Sequence, residues 1–338
     1  MTNFFNDTFI IAEIGGNHEG DFNYAKKLLL DAVESGVDAV KFQTYVPEKI
    51  VNKYEDPNRF EHFGKFCLKD DEYIELAQIS NKNNVLFMSS VWDEDSLELL
   101  DPYIQVHKVG SGDMTNYPLI KKIIKKGKPL IISTAMSSLN EIHETVNFIL
   151  DYDPDIIKDG RLGILQCVAM YGVPKDEYAN LRVINTLANS FPDAVIGYSD
   201  HTLGSHACNI AVGMGARILE IHFTDDKTRD FRDHHLSIDK HEMMELVSNI
   251  RKTEVLLGSS IKVPVDAIET KDRIKEFRRA CYLKRSLSAG EIVAANDLNT
   301  LRPNSGIDSR DYDKLIGKRL KKDISEGEKL QWSFFEDE

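Results

Sequence analysis

Eight short β-rich runs punctuate the first 225 residues, and most of them are almost continuously apolar. They are FIIAEIG (9–15), DAVKFQT (38–44), VLFMSS (85–90), IQVHKVGS (104–111), PLIIST (129–134), LGILQC (162–167), AVIGYSD (194–200) and RILEIHF (217–223). A strand that alternates apolar with polar residues has one face to bury, whereas a strand that is apolar throughout has two. Parallel sheets covered by helices meet that demand, and the segments between the runs supply the helices. NYAKKLLLDAVESG (23–36) sets Ala25, Leu28, Leu29, Ala32 and Val33 on one stripe and stops at Gly36. NYPLIKKIIKKG (116–127), SLNEIHETVNFIL (138–150) and SHACNIAVGMG (205–215) behave alike. Eight such units predict a (β/α)8 TIM barrel. The competing fold, a doubly wound open sheet, lacks its usual marks here: no G-x-G-x-x-G follows the first run, and no Walker A motif occurs.

The alternation ends with a helical segment at 240–258, which bounds the barrel domain as residues 1–258. Residues 259–278 read as a charged, proline-containing linker. Residues 279–338 change character: YLKRSLSAGEIVAANDLNTLRP and KRLKKDISEGEKLQWSFF each pair a strand-like start with an Ala-Gly-Glu or Glu-Gly-Glu turn. That pattern predicts a small β-rich domain of two similar hairpins. The formal charge of −13 argues against nucleic acid as a partner, because phosphate backbones need clustered Lys and Arg. An anionic small molecule needs only one local basic pocket. Four scattered cysteines without a C-x-x-C pair fit a reducing compartment, and no stretch has the length and apolarity of a membrane span. A soluble cytoplasmic protein without membrane partners is the expectation.

In a (β/α)8 barrel, chemistry gathers at the C-terminal ends of the strands. Here those ends are polar. They bring Asn17, His18 and Glu19; Lys41 and Gln43; Ser89 and Ser90; Lys108, Ser111 and Asp113; Ser133 and Thr134; Ser199, Asp200 and His201; and His222 with Thr224. Ser199, Asp200 and His201 are the residue types of a hydrolase triad, but neighbours on an extended segment point to alternating sides and cannot bond in series. Lys41 and Lys108 lie inside strands, where an ammonium needs an anion or a partner. An anion cradle, an internal ion pair and a Schiff-base lysine all satisfy that need. His201 and His222 end adjacent predicted strands, close enough for both imidazoles to reach one metal ion. With no cysteine beside them in the sequence, a harder ion that keeps several waters is expected. Glu19 and Asp113, in Gly-rich loops, are candidate general acids or bases.

The segments AEIGGNHEGD, AVKFQT, HKVGSGDMTNYPLI, IISTAM, FPDAVIGYSDHTLG and EIHFTD, in this order, resemble the sialic acid synthase family. The resemblance runs from residue 9 to about 240 and resumes in a C-terminal stretch similar to the antifreeze-like (SAF) domain of those enzymes. It implies a TIM barrel followed by a small β-clip domain, arranged as a domain-swapped homodimer. It implies condensation of phosphoenolpyruvate with an N-acetylated mannosamine-type sugar: C3 attacks the sugar aldehyde, water adds at C2, and phosphate leaves by C–O cleavage. By resemblance, His201 and His222 bind a divalent metal, Mn²⁺ foremost, with Mg²⁺ or Co²⁺ as alternatives. Lys41, Ser90, Lys108, Ser111 and Ser199 would hold phosphoenolpyruvate. Gln43, Tyr171, Asp233 and Arg302 would meet the sugar, Arg302 reaching in from the partner chain. Glu19 and Asp113 would serve catalysis beside the two histidines. The chain departs from the family pattern at Asp113 (one methylene shorter than the usual Glu), at Ser90, at Val91-Trp92 and at Ala169. A metal-dependent pyruvate aldolase and a non-catalytic sugar-binding barrel are the alternatives.

Overall fold

The computed structural model describes residues 5, 7–231 and 233–336. Arg232, within the loop expected to meet the sugar, lies outside them. The chain divides into two compact units, Met1–Gly258 and Ser259–Glu338.

In the first unit eight parallel strands close into a barrel in sequence order: β1 Phe9–Gly15, β2 Ala39–Thr44, β3 Leu86–Val91, β4 His107–Val109, β5 Leu130–Ser133, β6 Leu162–Cys167, β7 Val195–Asp200 and β8 Ile218–His222. β1 pairs with both β2 and β8, which closes the ring. β4 is shorter than its run in the sequence, because Tyr103 and Ile104 donate back to Leu100 and belong to the turn before it. Around the barrel lie α1 Phe22–Glu34, α2 Pro47–Ile50, α3 Pro57–Gly64, α4 Asp70–Lys82, α5 Glu94–Leu100, α6 Tyr117–Ile124, α7 Leu139–Tyr152, α8 Val183–Ser190, α9 His206–Gly213 and α10 Lys240–Leu257. Local chemistry sets their starts. Asp21 accepts from the Tyr24 amide at the head of α1, and Ser138 with Glu141 and Asp239 with Glu242 form reciprocal capping boxes on α7 and α10.

The two-residue repeat of each strand feeds two separate cores. Outward side chains such as Ile10, Phe42, Ile132 and Ile164 pack against the helices. Inward ones, among them Phe9, Ile11, Met88, Ile131, Leu165 and Ile218, plug the lower barrel with Phe5 beneath. Two inward positions on β6 and β7 are glycines. A Cβ on Gly163 would press on the flexible end of Ile218 at 2.6 Å, whereas one on Gly197 would lie 2.5 Å from the Ile218 carbonyl oxygen, which belongs to the adjoining strand backbone.

The second unit opens with α11 Lys271–Phe277, so the segment expected to be a plain linker carries a helix, capped by Thr270. Its ladder is one antiparallel pair, β9 Ala280–Leu283 with β10 Leu298–Leu301. A short helix, α12 Tyr312–Leu315, follows. Of the two similar hairpins expected, the first segment supplies this pair. The two segments also bond to each other, Leu287 and Ile324 exchanging amide-to-carbonyl bonds of 2.9 Å in both directions. Each Ser-x-Gly-Glu turn closes the same way: Glu291 accepts from Ser288 N and Glu328 from Ser325 N, with Gly290 and Gly327 in the left-handed region that the turn requires. Leu287, Val293, Leu298, Leu320 and Ile324 form the small core beneath.

The glycine contacts predict a graded result. Gly197→Ala should lower unfolding stability by about 3 kcal/mol, and Gly163→Ala by about 1 kcal/mol. Urea midpoints at constant slope measure both, and equal losses would mean that β7 shifts to make room.

Candidate active site

Strand register assembles the site. Glu13 stands level with Lys41 on one side and His222 on the other. Ser90 is level with Gln43 and Lys108, and Ser199 with Cys167 and Glu220. Adjacent strands lie about 4.8 Å apart, so inward side chains at one level must touch. They do. Lys41 Nζ lies 2.6 Å from Glu13 Oε2 and 3.5 Å from Glu220 Oε2, and donates to Ser90 Oγ at 3.0 Å. Lys108 Nζ is 3.6 Å from Glu220 Oε1, to which Ser199 Oγ donates at 3.0 Å. Gln43 Nε2 donates to Glu13 Oε1 at 3.0 Å. All four charged groups are buried. Of the three readings open to the lysines, the ion pair is therefore present, and it lines a cavity of about 550 Å³ at the top of the barrel.

The four charges are not equivalent. Burial pushes the Glu13 carboxyl up to about 7, against the pull of Lys41, with Glu220 adding to the rise. Burial also opposes the Glu220 charge, but Lys108 and Lys41, with the Ser199 hydrogen bond, outweigh it and hold that carboxyl down at about 2. Lys41 is opposed by burial and held above the usual lysine range by Glu13 and Glu220. Burial lowers Lys108, Glu220 resisting and Lys41 reinforcing. With Glu13 the harder of the two carboxylates to ionise, the cluster's balance leans toward the sign that suits an anion. Ser133, buried at the end of β5, lines the same cavity, and its hydroxyl has no hydrogen-bond partner among the described residues.

At the β7–β8 side, His201 Nε2 and His222 Nε2 face each other at 3.4 Å. Their other ring nitrogens point elsewhere, His201 Nδ1 to Cys167 Sγ at 3.7 Å and His222 Nδ1 to Asp233 Oδ2 at 3.9 Å. Burial keeps His201 neutral, its pKa down at about 4. Two imidazoles with converging Nε2 atoms are the donor set that a borderline or hard divalent ion accepts, each at about 2.1 Å. Among the described residues no group of three or more His, Cys, Asp or Glu side chains is placed to hold an ion without further ligands, so water or substrate oxygens would complete the shell.

Most sequence-derived candidates come together. Lys41, Ser90, Lys108, Ser111 and Ser199 line the cavity, as do Gln43, Tyr171 and Asp233, and Asp113, His201 and His222. Burial raises Asp113, which accepts from Asn116 Nδ2 at 3.3 Å. Asp200 turns outward, accepting from Tyr198 Oη at 3.0 Å and Thr202 N at 2.8 Å, and so braces the strand end. His107 also faces outward, 3.1 Å from Asp101. Two candidates are elsewhere. Glu19 does not line the cavity: its carboxylate takes a 2.7 Å bond from Arg229 Nε and lies 3.3 Å from His234 Nε2. Arg302 belongs to the second unit, where its Nε donates to the Phe277 carbonyl at 2.7 Å. The sequence reading missed Glu13 and Glu220, and gave Ser133 only as a polar strand-end residue. The signal was present for the carboxylates, since Glu220 is two residues before His222 and Glu13 two after Ile11, on the inward face by period two.

Comparison with known proteins matches this geometry to a family. The NeuB family model aligns with residues 28–262, and the SAF domain model with residues 278–336. The chain belongs to the NeuB family. It is 37% identical to the N,N'-diacetyllegionaminic acid synthase of Legionella pneumophila over 97% of this chain and 94% of that one. It is 32% identical to the human N-acetylneuraminate-9-phosphate synthase, over 95% of this chain and 91% of that one. The crystal structure of the spore coat polysaccharide biosynthesis protein SpsE of Bacillus subtilis superposes with a TM-score of 0.65 at 32% identity, covering 98% and 96% of the two chains. The barrel precedes the SAF domain in the chain, and no helix among the described residues is long and apolar enough to cross a membrane.

The charge cluster predicts a pH signature. The fold binds the Glu13 proton more tightly than the unfolded chain does, whose carboxyl titrates near about 4.3. The resulting stabilisation is intact below about pH 4.3 and is lost as pH rises through about 7. The stability of wild type minus that of Glu13→Gln should therefore decline across this window in urea titrations. A pH-independent difference would mean that Glu13 is ionised throughout in the fold.

Proposed function

We propose that this chain condenses phosphoenolpyruvate with an N-acetylated mannosamine-type amino sugar, forming a C–C bond and releasing phosphate. The observation that carries the proposal is the buried Lys41–Lys108 pair, ringed by Ser90, Ser133 and Ser199 on the cavity floor. The lysines lean on Glu13 and Glu220. A phosphate or carboxylate arriving between them finds two cations and a hydroxyl, Ser133 Oγ, with no other partner. These groups fix the enolate end of the substrate and supply the orientation that brings C3 against an aldehyde carbon. Glu13, whose carboxyl titrates near neutrality, is placed to take the proton of the water that adds at C2. Asp113, held above the usual carboxylate range by burial, is a second proton site on the opposite wall. His201 and His222 would hold a divalent ion of the Mn²⁺ type, Mg²⁺ or Co²⁺ being compatible with the same donors. Such an ion supplies Lewis-acid polarisation of the sugar's aldehyde oxygen. Tyr171, its ring edge-on to His201 at 5.0 Å, and Asp233 form the wall where the sugar would lie.

The likeness to an N,N'-diacetyllegionaminic acid synthase makes a 2,4-diacetamido-2,4,6-trideoxyhexose the first sugar to assay, with N-acetylmannosamine second. Four cysteines without a disulfide support a cytoplasmic setting. Arg302 would act in a domain-swapped homodimer, a second copy bringing its small unit to the cavity. The run of exposed apolar side chains Ile261, Val263, Val265, Ile268 and Phe277 supports burial against another chain.

Phosphate release should appear with Mn²⁺, phosphoenolpyruvate and at least one of these sugars, and release with none would overturn the synthase reading. His201→Ala should abolish release and also weaken Mn²⁺ binding at least tenfold by the free-ion electron spin resonance signal. Undiminished Mn²⁺ binding would remove the histidine assignment. Lys108→Met and Arg302→Ala chains, inactive alone, should regain activity when refolded together, because a swapped dimer leaves one site with both residues. Mixtures that stay inactive would exclude the swap.

A further inference from the structure

The loop that follows β8, described at residues 223–231 and 233–239, runs along the top of the barrel and carries Asp233 into the cavity. It is tied down on two sides. On the β1 side, Glu19 accepts from Arg229 Nε at 2.7 Å and stands 3.3 Å from His234 Nε2. The same two residues are braced by α1: the Arg229 guanidinium lies 4.4 Å from the Tyr24 ring centroid, and that ring stacks on His234 at 6.5 Å. His234 Nδ1 is 2.6 Å from Thr224 Oγ1, within the loop itself. Below them Asn17 Nδ2 donates to Phe223 O and Ser237 Oγ, both at 3.0 Å, and Ser237 Oγ donates to Asp233 O at 2.6 Å. On the far side His235 Nε2 lies 3.0 Å from the Gly172 carbonyl, next to Tyr171. Glu19 itself sits at φ 54°, a left-handed backbone that a non-glycine residue adopts only when its surroundings impose it.

The geometry points to Glu19 as a positioning residue for the sugar subsite: its clasp on Arg229 and His234 sets where the β8 loop holds Asp233, and His235 transmits that setting to the Tyr171 loop. The inference rests on the synthase reading for the identity of the ligand, but not for the clasp. It replaces a proton-handling role for Glu19, whose carboxylate is committed to a guanidinium and whose pKa that bond holds below the usual range. It also gives the adjacent histidines distinct work, His234 inward to the clasp and His235 across to the neighbouring loop.

Glu19→Gln keeps the shape and removes the charge. It should raise KM for the amino sugar about tenfold, leave KM for phosphoenolpyruvate unchanged and keep kcat within about twofold. Arg229→Gln should do the same, and the double variant should add little to either, because both remove one contact. In the same proteins, amide hydrogen exchange in residues 224–239 should quicken while β5 stays protected. A hundredfold fall in kcat at unchanged KM would overturn the inference and return Glu19 to proton transfer. Unchanged sugar KM with unchanged exchange would also overturn it. Should wild type release no phosphate with any sugar, the synthase reading falls, and the exchange measurement alone still decides the clasp: unaltered exchange in Glu19→Gln overturns it.

Discussion

Two ammonium groups and two carboxylates share the closed end of a barrel, and the architecture above the apolar plug is arranged around keeping them together. Isolated, any one of them would cost several kcal/mol to bury. Together, Lys41, Lys108, Glu13 and Glu220 satisfy each other across β1, β2, β4 and β8, so the ring must close in one register for any of them to be tolerable. A slip of one residue in a single strand would turn its charge out toward the helices and an aliphatic side chain into the cavity. The ion cluster therefore specifies the barrel as well as equipping it, and its imbalance, with Glu13 hard to ionise and Glu220 easy, leaves a surplus of positive charge for a ligand to answer.

How far the sequence reaches depends on the kind of signal. The eight apolar runs were enough for the barrel, because burial on two faces leaves an unbroken pattern. The strand-end polar residues were legible for the same reason, as interruptions of that pattern. Glu13 and Glu220 escaped notice because they interrupt from within, flanked by Ala12 and Ile14 and by Leu219 and Ile221, which make the run look structural. Reading each strand by alternate positions, rather than by its end, brings both into the site. Glu19 went the other way. Its neighbours His18 and Gly20 give it the look of a catalytic loop, yet its direction is set by Arg229 and His234, more than 200 residues along the chain, a contact no local pattern encodes. The small unit was legible as two related segments, but not as segments that bond to each other, since pairing across 37 residues leaves no trace in either turn.

The loops differ in how they are held. The β2 loop builds its own helices, α2 and α3, and stacks Tyr45 on Trp92 at 4.7 Å, so the departure at Trp92 is absorbed into an aromatic wall beside the cavity. The β5 loop places Met136 at φ 62° with its side chain 78% exposed, a strained apolar residue at the cavity rim. Ala169 lines the same cavity as Ser133 and Ser199. These differences leave the four buried floor charges unchanged.

The plug of Phe9, Ile11, Met88, Ile131, Leu165 and Ile218 makes the cavity a blind well, closed below and entered from one end. Depth then becomes sequence in time. Lys41 and Lys108 lie at the bottom, 2% exposed, whereas Tyr171 near the rim is 56% exposed. Whatever settles on Tyr171 covers the route to the lysines. In the proposed reaction an anion arriving second would find its seat blocked, and inorganic phosphate formed at the bottom would stay until the larger product above it had gone. A well of this shape would order the steps, with the deep ligand first in and last out.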